Sequence, residues 1–271
     1  MRIEEFYKIA NALAPKPLSD EYCAKYDAYD NSGILVDTGE EIKGVLFSLD
    51  LSFAAIEKAK SLGANLIVTH HPAIYGKIGA VRVSDFQPLG KKLADCLKNG
   101  ISVLSMHLNL DAANGGIDES LMDGILRSTG AGMRSTQDVS MMHPLSQGGY
   151  GRVYDVQEIA FPNLLENIKK EFHSQRLLTY GDTNRSVKKV ASFCGGGADE
   201  EAVAFAVANG ADVIVSSDFK HHVITLALET GINVLALTHY ASENYGFKKY
   251  YEKIRKQIEI PCGYHTDEGL L

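Results

Sequence analysis

Residues 63–72 read GANLIVTHHP. The apolar run Leu66-Ile67-Val68 fits a short strand buried on both faces, and two histidines, His70 and His71, follow it at once, pinned by Pro72. Upstream, VLFSLD (45–50) is another short apolar strand, and SFAAIEKAKSLG (52–63) has helical apolar spacing and a terminal glycine. Downstream, KKLADCLKNG (91–100) is a second glycine-closed helix leading into the strand ISVLSMH. The order βαβαβ predicts a largely parallel sheet.

The C-terminal half repeats this order. KVASFCGGG (189–197) reads as strand and glycine turn, EEAVAFAVANG (200–210) as helix, DVIVSSD as strand, VITLALETG (223–231) as helix and INVLALTHY as strand. Individual residues repeat too: GANLIVT (63–69) lies over GADVIVS (210–216), and LKNGISVL (97–104) over LETGINVL (228–235). Two collinear matches point to an internal duplication. The expected fold class is α/β, two similar βαβ-repeat lobes with largely parallel sheets and a metal site in the cleft between them. The expected division is a first lobe at 1–130, a connecting segment with outer elements at 131–188, and a second lobe at 189–271. The connecting segment holds a helix near PNLLENIKKEFH and the strand-like RLLTY.

Bulk properties narrow the function. The 271 residues are 45% hydrophobic, enough for a proper core, and the formal charge of −7 argues against nucleic acid or an anionic membrane as partner, since phosphate backbones need basic patches. Cys23, Cys96, Cys194 and Cys262 are scattered without a C-x-x-C pair, so neither a cysteine-zinc site nor a disulfide framework is indicated. The first fifteen residues carry Glu4 and Glu5 and read as an amphipathic helix, not a signal peptide, and no apolar run has the length of a membrane span. A cytoplasmic location is expected.

In parallel α/β sheets, ligands bind outside the carboxyl ends of the strands. His70 and His71 sit at one such end, His107 at the next with Asp111 beyond it, and Asp218 and His239 at two in the second half, with Glu243 four residues after His239. This set mixes imidazole nitrogen with carboxylate oxygen and lacks thiolate, which suits divalent zinc, iron, manganese, cobalt or nickel. Neighbours in extended backbone point to opposite sides, so His70 and His71 are expected to serve different ions. Asp50 reads as a helix-start residue or a brace for a metal-bound histidine. Isolated histidines such as His143, His173, His221, His222 and His265 read as structural. GGGADE (195–200) lacks the G-K-[ST] ending of a P-loop and reads as a tight strand-to-helix turn.

DNSGILV, VLFSLDLS, GANLIVTHHP, HLNLD, FCGGGADE, GADVIVSSDFKHH and THYASE occur in an order that resembles the GTP cyclohydrolase 1 type 2 family, also called NIF-three-like dinuclear metal-centre proteins. The resemblance spans nearly the whole chain and fits the short form, without a middle insertion domain. It implies two divalent metal ions per chain, with His70, His71, Asp111, His239 and Glu243 as ligands: Glu243 bridging, His70 and Asp111 towards one ion, His71 and His239 towards the other. It also implies a homohexamer and a hydrolase that opens the guanine ring of GTP, or acts on another nucleotide, through a metal-bridging hydroxide. Glu243 and His107 are the expected catalytic residues, His107 as proton donor. A non-catalytic metal-binding regulator or scaffold and a bimetallic phosphoesterase are the alternatives. Three departures touch the pocket and the first block: Thr238 replaces the usual glycine before the last histidine, Leu108 a common threonine, and DNSGILVDTGEE lacks the expected Val-Gly. The candidate cations for a triphosphate are Lys77, Arg82, Lys220 and Lys248.

Overall fold

The duplicated stretch 63–72 forms the centre of a sheet, as does its counterpart. A computed structural model describes residues 1–130 and 139–271. They form two compact units, Met1–Ala113 with Phe247–Thr266, and Asn114–Gly246 with Asp267–Leu271.

The first unit begins with helices α1 (Ile3–Leu13) and α2 (Lys16–Tyr26), followed by β1 (Gly33–Val36), β2 (Val45–Ser48), α3 (Phe53–Leu62), β3 (Leu66–Thr69), α4 (Leu89–Lys98), β4 (Ser102–Ser105) and the short α5 (Leu108–Ala112). The second contains α6 (Ile117–Ser128), β5 (Ser140–Pro144), β6 (Gly149–Ala160), α7 (Phe161–Glu171), β7 (Leu178–Tyr180), β8 (Ser186–Ser192), α8 (Glu200–Ala208), β9 (Val213–Ser216), α9 (His221–Glu229) and β10 (Asn233–Ala236). Helix α10 (His239–Ile254) gives its residues up to Gly246 to the second unit and the rest to the first, which β11 (Cys262–His265) completes.

The sheet orders are β1-β4-β3-β2-β11 and β5-β6-β8-β9-β10-β7. Within each, the duplicated strands are parallel neighbours: β2-β3-β4 in one and β8-β9-β10 in the other. An antiparallel strand flanks the last member of each triad, β1 beside β4 and β7 beside β10. The other flank differs, with β11 parallel to β2 but β6 antiparallel to β8. The expected α/β class with parallel repeats is therefore what the chain adopts.

The triads form because their strands, apart from the start of β8, are short, apolar and buried, while the first helix within each triad is capped by its own sequence. Ser52 accepts the Ala55 N–H at 3.0 Å at the start of α3, and Asp199 accepts the Ala202 N–H at 2.9 Å at the start of α8. Each such cap contributes about 1 kcal/mol. In the first unit Leu46, Ile67 and Val103 pack with Ile56 and Ala59 of α3. Burying an isoleucine such as Ile56 or Ile67 contributes about 1.5–3 kcal/mol. The next residue along β2, Phe47, turns to the opposite face and meets Phe247 and Tyr251 of α10 at ring separations of 5.8 and 5.4 Å.

The repeat extends to hydrogen bonds. Asn65 Oδ1 accepts the Lys43 N–H at 2.7 Å while its Nδ2 donates to Glu41 O at 2.8 Å, tying β3 to the approach of β2. At the matching position Asp212 Oδ2 accepts the Lys188 and Lys189 N–H groups at 2.7 and 2.9 Å. An amide gives one bond and takes one; a carboxylate takes two.

The compact units differ from the expected division at 1–130, 131–188 and 189–271. The first unit ends its N-terminal part at Ala113, and β5, β6, α7 and β7 belong to the second because β6 and β7 join the sheet of β8–β10. Residues 131–138, where the connecting segment was expected to begin, lie outside the described residues. No helix among the described residues is long and apolar enough to cross a membrane.

Candidate metal centre

In the first unit, the ends of β3 and β4 gather three histidines and an aspartate. The strand stops at Thr69, and the N–H groups of His70 and His71 both donate to Leu49 O, at 3.1 and 3.0 Å. The alternation expected of extended backbone therefore fails here. The two rings lie only 5.0 Å apart, because the chain has already left the strand. The His107 ring lies 5.2 Å from that of His70 and 6.0 Å from that of His71. His70 is fully buried, and its Nε2 stands 3.4 Å from Asp111 Oδ1. One donor atom each of His70, His107 and Asp111 falls within 4.8 Å of the others, a group able to hold a metal ion.

Each ring is braced from behind. His70 Nδ1 lies 2.8 Å from Met106 O, which can only accept, so Nδ1 carries the hydrogen and Nε2 the lone pair. His71 Nδ1 donates to Asp50 Oδ1 at 2.8 Å, and His107 Nδ1 to Asp30 Oδ1 at the same distance. Asp30 is held well below the usual carboxylate range: burial pushes it up, but hydrogen bonds from His107, Ser19 and Ser32 outweigh that.

In the second unit, α10 starts at His239, so His239 and Glu243 share a face, with Nε2 and Oε1 3.0 Å apart. His239 Nδ1 donates to Asp218 Oδ2 at 2.5 Å. Asp218 has φ +51°, a left-handed conformation that aspartate tolerates, at the turn after β9. Glu243 is 4% exposed. It packs against Gly195, where a Cβ would lie 2.3 Å from Glu243 Oε1 and where φ is +57°. The glycine turn thus makes room for a carboxylate.

That turn is anchored beneath. Asp118, fully buried on α6, accepts the Gly151 N–H at 3.0 Å and the Cys194 N–H at 3.1 Å and pairs with the guanidinium of Arg152, itself 1% exposed.

The structure brings His70, His71, His107 and Asp111 together in one unit and His239, Glu243 and Asp218 together in the other. Reasoning from sequence missed Asp30, Gly195 and the Asp118–Arg152 pair. Asp30 had one signal, its place in the DNSG block; its partner His107 is 77 positions away. The donor set suits a divalent cation. The lone pair of the buried His70 Nε2 faces a carboxylate oxygen, and a cation at that point would compensate both.

Known proteins resemble the chain over nearly its whole length. A GTP cyclohydrolase 1 type 2 homolog of Clostridium perfringens is 30% identical over 96% of this chain and 93% of its own length, and one of Methanocaldococcus jannaschii is 29% identical over 96% and 97%. Among solved structures, reduced HcgD from Methanocaldococcus jannaschii superposes with a TM-score of 0.77 at 27% identity, covering 97% of both chains. A Bacillus cereus protein related to NIF3 shares the fold, with a TM-score of 0.77 at 20% identity over 98% of this chain and 97% of that one. The family description Duf34/NIF3 (NGG1p interacting factor 3) matches residues 1–265, and the chain belongs to that family.

Proposed function

We propose that this chain is a metal-dependent hydrolase that holds two divalent ions, zinc, iron, manganese, cobalt or nickel, with His70, His71, Asp111, His239 and Glu243, and that it opens the guanine ring of GTP or a related nucleotide. The observation that carries this reading is the shared bracing of four histidines. His70, His71, His107 and His239 each engage Nδ1 with a carbonyl or carboxylate, an arrangement that fixes ring orientation and reserves Nε2 for another task. Structural histidines have no need of four such braces at equivalent strand ends. The names borne by the Clostridium perfringens and Methanocaldococcus jannaschii relatives supply the reaction class.

Held by these residues, a divalent ion would supply a water of pKa about 7, a nucleophile at neutral pH. Glu243 offers two carboxylate oxygens, enough to serve both ions. His107, its Nδ1–H held by Asp30, would take a proton from the attacking water on Nε2. As water adds to the imidazole carbon of the guanine and a ring C–N bond breaks, that proton passes to the departing ring nitrogen, and a second water releases formate. A homohexamer in the cytoplasm accompanies this reading.

Elemental analysis of the wild type beside His70→Ala/His71→Ala, with formate release from GTP measured on both, tests it. About two divalent ions per chain, lost in the double variant, together with formate from the wild type, is the expected result. Phosphate-ester turnover in place of formate would make it a bimetallic phosphoesterase, and metal without turnover a metal-binding regulator. Undiminished metal in the double variant, or in Glu243→Ala, would sink the ligand assignment.

A further inference from the structure

Two of the braced pairs border cavities, and the volumes differ. Beside Asp50 and His71 lies a space of about 240 Å³ whose one lysine is Lys92. Beside Asp218 and His239 lies one of about 600 Å³, entirely within the second unit. Small-molecule sites usually measure about 300–1,000 Å³, so only the second has room for a nucleotide-sized ligand.

Its lining is divided in character. Leu177, Ile224 and Leu237 make an apolar surface, and Phe219 and Tyr180 add aromatic rings. Phe219 follows directly on Asp218, so the left-handed turn at Asp218 sets both the brace on His239 and the position of the aromatic residue. Apart from His239, the lining carries one cation, Arg176. Its Nη1 donates to Gly269 O at 2.5 Å, which engages one of the five N–H groups of a guanidinium. The planar fork of arginine matches the oxygens of phosphate or carboxylate.

We propose that this cavity is the substrate subsite of the second unit: it takes a planar ring bearing an anionic group, mononucleotide in size, with the ring against Phe219 and Tyr180 and the phosphate on Arg176. The choice of phosphate over carboxylate rests on the nucleotide reading above; the cavity, the aromatic lining and the lone guanidinium do not. Sequence reasoning sought the triphosphate-binding charge in Lys77, Arg82, Lys220 and Lys248; none of these lines this space, and Arg176 does.

Titration calorimetry on the metal-loaded protein decides the matter, with GMP, guanosine, orthophosphate and benzoate as probes. GMP should bind about ten- to a hundredfold more tightly than guanosine, the range of a charge-assisted hydrogen bond. Arg176→Gln, which keeps an amide donor for Gly269 O, should abolish that difference and leave metal content unchanged. Phe219→Ala should weaken guanosine and GMP alike. Benzoate binding with the same Arg176 dependence, where GMP binds no better than guanosine, would overturn phosphate as the anion. Equal affinity for GMP and guanosine without benzoate binding, or a preference for GMP that survives Arg176→Gln, would overturn the subsite. Formate release is measured separately. Turnover unaffected by Arg176→Gln would leave the hydrolase standing and remove the subsite; Arg176-dependent GMP binding without turnover would do the reverse.

Discussion

The two repeats place different chemistry at the same positions. Val45 of β2 pairs with Leu66 and Val190 of β8 with Val213, so the register aligns Asp50 with Gly195 and His71 with Asp218. In the first unit a carboxylate two residues beyond β2, Asp50, braces the histidine two residues beyond β3, His71. In the second the corresponding residue is a glycine, and the carboxylate has moved to the end of β9, where it braces a histidine following β10. The vacated side-chain volume at Gly195 is where Glu243 fits. A duplicated scaffold has kept its backbone and moved the brace to the strand end that holds the histidine in the other repeat, so strand ends serve as interchangeable mounts so long as each imidazole keeps an acceptor behind it.

The largest expected effect separates the units by what lies under their turns. Asp118→Ala would leave Arg152 buried without its partner beneath the glycine turn, and should cost about 3–5 kcal/mol in urea unfolding. Loss of less than about 1 kcal/mol would mean that the turn does not depend on the pair.

Removing a brace should act on metal rather than on folding. Asp50→Asn and Asp218→Asn should each weaken metal affinity about 10–100-fold in a competition titration with a chelating dye. A large loss for one and none for the other would break the equivalence drawn between the units.

Two glycines sharpen it further. Gly63 and Gly195 both have positive φ, +65° and +57°, but only at Gly195 does an added Cβ meet another group within 4 Å. Ala at either position should cost about 1–2 kcal/mol in backbone strain. Gly195→Ala alone should also lower metal content, by displacing Glu243; an equal loss in Gly63→Ala would refute the contact.

The smallest effect concerns a buried thiol of the first unit. Burial pushes Cys96 up to about 11, with Asp95 adding to the shift. The folded form then holds its proton where the unfolded form releases it, so stability should fall as pH rises from about 9 towards 11. Urea midpoints at pH 8 and pH 10, compared with those of Cys96→Ala, check the sign.

The parallel triads were legible because a doubly buried strand must be an unbroken apolar run, and Leu66-Ile67-Val68 and Val213-Ile214-Val215 are such runs between glycine-closed helices. β6 and β11 were not. The 12 residues of β6 are buried for about half their length and exposed for the rest, and β11, CGYH, is too short to show a period. Candidate donors were visible as histidines and carboxylates at strand ends. Of their braces Asp50 was legible from its place beyond a strand, whereas Asp30 went unread and Asp218 was read as a candidate donor, because a carboxylate acquires a bracing role only from a ring brought to it by the fold.

The pairing of β11 with β2, Cys262 beside Val45, has a consequence for biosynthesis. On the ribosome, β2, β3 and β4 are made before residues 114–246 of the second unit, and the strand that closes their edge and the aromatic residues of α10 that cover Phe47 emerge after them. Domains made as one contiguous segment can finish folding before synthesis ends. This first unit cannot finish until residues 247–265 have emerged, and until then β2 has an open edge and Phe47 lacks its aromatic cover.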